Sequence, residues 1–112
     1  MSRDWRLYLE DILDSCAKIR IYTHEMSKED LLRDHKTYDA VVRNLEIIGE
    51  AAKNLPEHIR NDISLVEWRR IAGMRDILAH AYFGIDDDIL WDVIQNKVPE
   101  LEKAVSLYHN GH

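Results

Sequence analysis

The sequence predicts an all-α fold, with one domain over residues 1–112 built as an up-down bundle of four to five main helices. Three observations support this prediction. Apolar residues recur every three or four positions, alternating strand-like patterns are absent, and helix-capping residues precede the apolar runs. The chain has 112 residues, of which 46% are hydrophobic, so it can bury one core but is too short for two ordinary domains.

The first half of the chain predicts two long helices with a short one between them. The first should end near Thr23 or His24, and its apolar face is formed by Trp5, Tyr8, Leu9, Ile12, Cys16 and Ile19. Ser27, which is followed by acidic residues, predicts the N-cap of the short helix. Asp34 predicts the N-cap of the second long helix, whose stripe is formed by Tyr38, Val41, Val42, Leu45, Ile48, Ala52 and Leu55.

The middle of the chain predicts a short helix and then a longer one. Pro56 suits the first turn of the short helix, over residues 57–63. Ser64 and Glu67 have the spacing of a capping box, which predicts Ser64 as the N-cap of the longer helix. The stripe of that helix is formed by Trp68, Ile71, Ala72, Arg75, Leu78 and Ala79. Gly84 should end this region.

Two further helices complete the predicted bundle. Asp86 can cap the first of them, and the triplet at residues 86–88 is interpreted as an acid-rich helix start rather than a cation site. Pro99 predicts the first turn of a last helix that runs to about Tyr108. Gly49 and Gly73 lie inside helical patterns, where glycine costs up to about 1 kcal/mol against alanine. We therefore expect helices to cross at one or both glycines.

Composition limits the classes of protein to consider. The formal net charge of −6 argues against a general nucleic-acid binder, whose affinity comes largely from neutralising phosphates. The single cysteine, Cys16, allows no internal disulfide, lies on an apolar stripe and fits a cytoplasmic setting. The charged start and the lack of a long apolar run predict neither a signal peptide nor a membrane span. The histidines lack ligand spacing, so we expect no metal or other cofactor.

The run from Arg75 to Tyr82 carries the strongest functional signal. Polar groups within a buried helix cost free energy unless they are paired or used. An arginine can clamp a phosphate, and a histidine can move a proton to or from an RNA oxygen, so Arg75 and His80 together suit metal-independent RNA transesterification. Asp76 could orient either residue. The alternative interpretation is that Arg75 pairs with an acid on a neighbouring helix while His80 and Tyr82 pack in the core.

Helical geometry separates the members of this run. Arg75 and Tyr82 are seven residues apart and share a face of a regular helix, whereas His80 lies about 140° away from Arg75 around the axis. Either the helix loosens near Ala79, which brings His80 beside Arg75, or residues from two copies of the chain meet in one cleft. The sequence leaves both arrangements open.

The Arg75-x4-His80-x-Tyr82 spacing resembles the Arg-x4-His-x-Tyr motif of HepT-type HEPN proteins. The motif lies within residues 71–85, and residues 43–53 and 90–101 resemble the segments that precede and follow it in that family. Three blocks in the same order are much more specific than the motif alone. The resemblance covers nearly the whole chain.

This resemblance implies a HEPN-like helical bundle that forms a homodimer and acts as a ribonuclease toxin. It implies that Arg75 and His80 are the catalytic pair and that RNA is the substrate. It also implies a partner antitoxin of the MntA type, a minimal nucleotidyltransferase that silences the toxin by AMPylation of Tyr82. An adenylate there would add charge and bulk where an RNA phosphate must dock.

Two other functions remain open at the level of sequence. The chain could be a non-catalytic substrate-binding or regulatory subunit of a nucleotidyltransferase, which the acidic net charge favours. It could also be a purely structural helical dimer, in which Arg75 and His80 contribute to stability alone. RNA cleavage that depends on His80 distinguishes the ribonuclease from both alternatives.

Overall fold

The predicted all-α fold is confirmed by a computed structural model, which describes residues 3–79 and 84–112 except the side chains of residues 76, 77 and 79. Within these residues there is no β-strand. The helices are α1 (Trp5–Tyr22), α2 (Lys28–Arg33), α3 (His35–Asn54), α4 (Glu57–Asp62), α5 (Trp68–Ala79), α6 (Asp87–Asp92), a π-helical segment (Val93–Lys97) and α7 (Val98–Gly111). None of the described helices is both long and apolar enough to cross a membrane.

Most predicted helix boundaries are confirmed by their caps. The helix α1 ends at Tyr22, with Thr23 as its C-cap. Ser27 caps α2 in a reciprocal capping box with Asp30, in which each side chain accepts a hydrogen bond from the other residue's backbone N–H. Asp34 caps α3 by accepting a hydrogen bond from the N–H of Thr37. These caps satisfy helix-end donors that would otherwise lack partners.

The predicted cap at Ser64 is wrong. Ser64 lies in a turn, and α5 begins at Trp68. The buried indole of Trp68 donates a hydrogen bond from Nε1 to the carbonyl oxygen of Ile63, at 3.0 Å. This bond connects the start of α5 to the residue that ends α4. The residues between them form a turn and do not form the first turn of α5.

The last two predicted helices are continuous. The helix α6 passes directly into the π-helical segment and then into α7, which contains Pro99 in its first turn. In a regular α-helix the proline ring would clash with the carbonyl of Gln95, four residues earlier. A π turn is wider and gives that ring room, so the boundary that Pro99 predicts is present as a change of helix type.

The helix α3 occupies the centre of the fold, with extensive contacts to both α1 and α5. The helix α7 packs antiparallel to α1, as two contacts between them show: an ion pair of Arg20 with Glu102 at 3.2 Å, and a contact of Glu10 with the His109 ring at 3.5 Å. Cys16 is fully buried, as predicted, and burial raises the pKa of its thiol to about 12. The largest fully buried apolar side chains are Leu9, Ile12, Ile19, Leu31, Leu45, Ile48, Ile59, Val41 and Val105.

The predicted close crossing of helices is found at Gly49. A Cβ atom added to Gly49 would lie 2.8 Å from the Cβ of Arg75, 3.1 Å from its backbone nitrogen and 3.2 Å from the carbonyl oxygen of Ile71. The α3–α5 crossing therefore requires the absence of a side chain at this position. At Gly73, by contrast, an added Cβ would meet no atom of the described residues within 4 Å.

Substitution by alanine should change the free energy of unfolding in opposite directions at Gly49 and Gly73. Gly49→Ala should lower the free energy of unfolding by about 1 to 3 kcal/mol, because two of the three atoms in its way belong to the backbone of α5. Gly73→Ala should raise it by up to about 1 kcal/mol, because alanine is the better helix former. Urea unfolding monitored by circular dichroism measures both changes, and equal effects at the two positions would contradict the crossing.

Candidate functional site

A groove of about 360 Å³ lies over α3, with residues of the α1 region and α5 also lining it. Its lining residues are Arg3, Tyr8, Asp11, Arg43, Glu46, Ile47, Glu50, Ala51 and Arg75. Arg75 is the member of the predicted site that the structure places in this groove. The volume is in the lower part of the range for small-molecule pockets, which is about 300–1,000 Å³.

The position of Arg75 follows from the crossing at Gly49. The backbone of α5 lies against α3 at that glycine, and Glu50 is the next residue of α3. The Nε atom of Arg75 lies 2.5 Å from Oε2 of Glu50. The alternative interpretation of Arg75, as a cation paired with an acid on a neighbouring helix, is therefore correct as far as the pairing goes. Both side chains stay accessible, with 40% and 52% of their surfaces exposed.

The other two arginines of the groove also contact carboxylates. Arg3 contacts Asp11 at 2.6 Å, and this hydrogen bond is the main cause of the raised pKa of Arg3. The Arg3 guanidinium also lies over the ring of Tyr8, 5.0 Å from its centre. Arg43 contacts Glu46 one turn further along α3, at 3.5 Å. Among the described lining residues, three arginines are thus matched by three acids, so this part of the lining is close to neutral.

The chain beyond the motif is fixed to the start of α3. Gly84 has a positive φ of 98°, a conformation that favours glycine. Asp86 caps α6 by accepting hydrogen bonds from two backbone N–H groups, as predicted. The hydroxyl of Tyr38 donates a hydrogen bond to Asp87 at 3.0 Å, and Asp88 contacts Lys28. Burial, together with the bond to Asp87, raises the pKa of Tyr38 to about 12.

The rest of the predicted site cannot be compared with its expected geometry. His80, Tyr82 and the side chain of Asp76 lie outside the described residues. Their segment is nevertheless bounded on both sides by contacts with one helix, because α3 holds Arg75 through Glu50 and holds Asp87 through Tyr38. Across the part of the chain that is described, no three His, Cys, Asp or Glu residues are grouped so that they could hold a metal ion.

Sequence reasoning missed most of the groove. Arg3, Tyr8, Arg43, Glu46 and Glu50 were not assigned to the site, because each is remote from the motif along the chain. One usable signal was present for Glu50: it directly follows a glycine at which a helix crossing was expected. An acid next to such a crossing is well placed to reach a polar residue on the second helix.

Comparison with known proteins identifies the family. Residues 12–107 match the family Ribonuclease HepT-like. The chain belongs to the HepT-like ribonucleases. All three blocks that carry the sequence resemblance lie within the matched residues.

Two curated relatives match this HepT-like chain over most of their own length. It is 47% identical over 103 residues to "Putative RNase MJ0127" of Methanocaldococcus jannaschii, and the aligned region covers 92% of this chain and 85% of that relative. It is 45% identical over 102 residues to "Probable ribonuclease HepT" of Thermococcus cleftensis, and here the aligned region covers 91% of this chain and 93% of that relative. No solved structure matches it.

Proposed function

We propose that this HepT-like chain is a metal-independent endoribonuclease toxin that cleaves RNA with Arg75 and His80. The observation that carries the proposal is the position of Arg75, which the α3–α5 crossing holds at the wall of an accessible groove. Membership of a ribonuclease family supports the choice of RNA as substrate.

The proposed reaction is a transesterification that uses the nucleophile of the RNA itself. The 2′-oxygen attacks the adjacent phosphorus and loses its proton, while the bond from phosphorus to the 5′-oxygen breaks and that oxygen gains a proton. The products are a 2′,3′-cyclic phosphate and a 5′-hydroxyl. His80 transfers a proton in this step, and Arg75 binds the phosphate and stabilises the added negative charge of the transition state. Asp76 supports the pair by orienting one of them.

The proposal includes a homodimer with a cleft between subunits, as the family resemblance implies. A cleft of that kind is one way to bring His80 next to Arg75, since the two are not on one side of a regular helix. The other way, a loosened helix near Ala79, needs a single chain. In both arrangements the groove wall at Arg75 belongs to the catalytic surface.

A cleavage assay in EDTA tests the ribonuclease directly. The purified protein should cut single-stranded RNA without added metal, and His80→Ala should lower the rate by about 100-fold or more, because the proton transfer is lost. Arg75→Ala should lower it by about 100- to 1,000-fold, because charge stabilisation is lost. Chromatography of the products should show cyclic phosphate ends.

Matched controls separate these effects from general damage and from contamination. His58→Ala and Arg70→Ala change an exposed histidine and an exposed arginine outside the groove, so they should leave the rate unchanged. Sedimentation equilibrium should give twice the chain mass of 13.2 kDa. Cleavage that persists in His80→Ala, or that stops in EDTA, would contradict the proposal.

Two observations favour a second candidate, a non-catalytic subunit that binds a nucleotidyltransferase. The groove arginines are all paired with acids, and the chain carries a net charge of −6, which opposes general RNA binding. This candidate predicts that RNA remains intact in the assay above while the chain still binds the transferase.

We further propose that an MntA-type nucleotidyltransferase antitoxin silences the toxin by AMPylation of Tyr82. In this step the tyrosine oxygen attacks the α-phosphorus of ATP, a new oxygen–phosphorus bond forms, and pyrophosphate leaves with the proton going to solvent. The adenylate places negative charge in the motif segment, where it competes with RNA for Arg75.

Intact-protein mass spectrometry tests this regulation. Co-expression with a cognate MntA-type nucleotidyltransferase should add mass in steps of one AMP and abolish RNA cleavage. Tyr82→Phe should remain unmodified and active, whereas Tyr22→Phe, which changes a surface tyrosine on α1, should be modified like the unaltered chain. An unmodified chain in the presence of its active partner would overturn the proposal.

A further inference from the structure

We propose that Glu50 is a positioning residue for the ribonuclease reaction: its carboxylate fixes the orientation of the Arg75 guanidinium at the groove wall. The motif contains no part of α3, and the family resemblance over residues 43–53 assigns no role to Glu50. The inference rests on the proposed role of Arg75 in cleavage and adds a second helix to the catalytic machinery.

The contact geometry supports an orienting role. The carboxylate of Glu50 forms an ion pair with Arg75, in which Oε2 lies 2.5 Å from Nε. The guanidinium is planar and rigid, so a carboxylate in contact with Nε restricts the directions in which its terminal nitrogens can point. Bidentate phosphate binding can use those terminal nitrogens, and its strength depends on the direction in which they point.

The backbone positions of α3 and α5 favour the contact between Glu50 and Arg75. Glu50 follows the glycine at which α3 and α5 cross, and the crossing places the backbone of Arg75 directly beside that glycine. Both residues therefore extend from helices whose relative position is fixed by packing. Of the three charged pairs that the described groove residues form, this one joins two helices. Arg43 and Glu46 are both in α3, whereas Arg3 and Asp11 lie eight residues apart at the start of the chain.

Exposure argues that the pair contributes little to stability. Roughly half of each side chain is accessible to solvent, and exposed ion pairs contribute little because water and salt screen them. Orientation of a catalytic group has much larger consequences, since a displacement of about 1 Å can change a rate about 100-fold. Loss of the Glu50 carboxylate should therefore affect the rate of cleavage more than it affects the free energy of unfolding.

An ion pair at the start of α5, between Arg70 and Glu67, provides a matched control. Nε of Arg70 lies 2.8 Å from Oε2 of Glu67, which repeats the same atom-to-atom contact on an exposed surface outside the groove. Glu67→Ala thus removes a comparable ion pair without touching the site.

Steady-state cleavage of a fluorescent single-stranded RNA by the full-length protein tests the inference. Glu50→Ala should lower kcat by about 10- to 100-fold and change KM by less than about threefold. Glu50→Gln should recover most of kcat, because it keeps the side-chain length and the oxygen that contacts Nε, and its pH–rate profile should keep the unaltered shape. Glu67→Ala should behave like the unaltered protein.

Two cleavage results would overturn the inference. One is equal activity of Glu50→Ala and Glu67→Ala, which would show that the contact does not affect Arg75 in catalysis. The other is loss of the acidic limb of the pH–rate profile in Glu50→Gln, which would show that Glu50 exchanges a proton itself and does not act as a positioning residue.

A readout without RNA distinguishes this inference from the proposed function. In ¹⁵N NMR spectra the Nε–H signal of Arg75, assigned with Arg75→Lys, should exchange slowly with water and should broaden or vanish in Glu50→Ala. If the unaltered protein cleaves no RNA, the proposed function fails, whereas the NMR result still decides the positioning role. A signal that is unchanged in Glu50→Ala overturns that role.

Discussion

The structure depends on the close approach of α3 and α5 at Gly49. With hydrogen in place of a side chain, the backbone of α5 lies against α3 at Arg75, and every larger residue would meet the Cβ and backbone nitrogen of that arginine. The same approach brings the neighbouring Glu50 into contact with Nε of Arg75 and places Arg75 at the wall of the groove. One position without a side chain thus sets both the packing of the bundle and the geometry of its candidate site.

The electrostatics of the groove bear on how an acidic protein acts on RNA. The three arginines among its described lining residues are each paired with an acid, so an RNA phosphate must compete with a carboxylate at each of them. Weak attraction to nucleic acid in general follows from that balance and from the net charge of −6. Under the proposed function, RNA is selected by how it fits the groove and engages Arg75, and bulk charge attraction contributes little.

Local features of the fold could be predicted from sequence, whereas features that depend on distant residues could not. Ser27, Asp34 and Asp86 act on backbone groups two or three residues away, and all three caps are confirmed. Ser64 had the same local signature, but the bond between Trp68 and Ile63 changes the local path of the chain. Periodicity alone could not decide between Gly49 and Gly73, because the choice depends on which helix packs beside each.

The candidate site likewise contains a residue that the sequence predicted and a residue that it did not. Arg75 was found because it belongs to a short motif, but Glu50 was missed because it lies 25 positions earlier in the chain. His80 and Tyr82 stay predictions, as does the support expected from Asp76. The family assignment nevertheless confirms the resemblance drawn from three ordered blocks, all of which lie within the matched residues.

A double-mutant cycle on RNA cleavage tests the central claim most directly. The rate is measured for the unaltered chain, Glu50→Ala, Arg75→Ala and the double variant under single-turnover conditions. If the crossing acts by holding Arg75 in place through Glu50, removal of Glu50 slows cleavage in the unaltered chain but changes it by less than about twofold once Arg75 is absent. An equal loss in both backgrounds would show that the two residues act independently and would contradict the account.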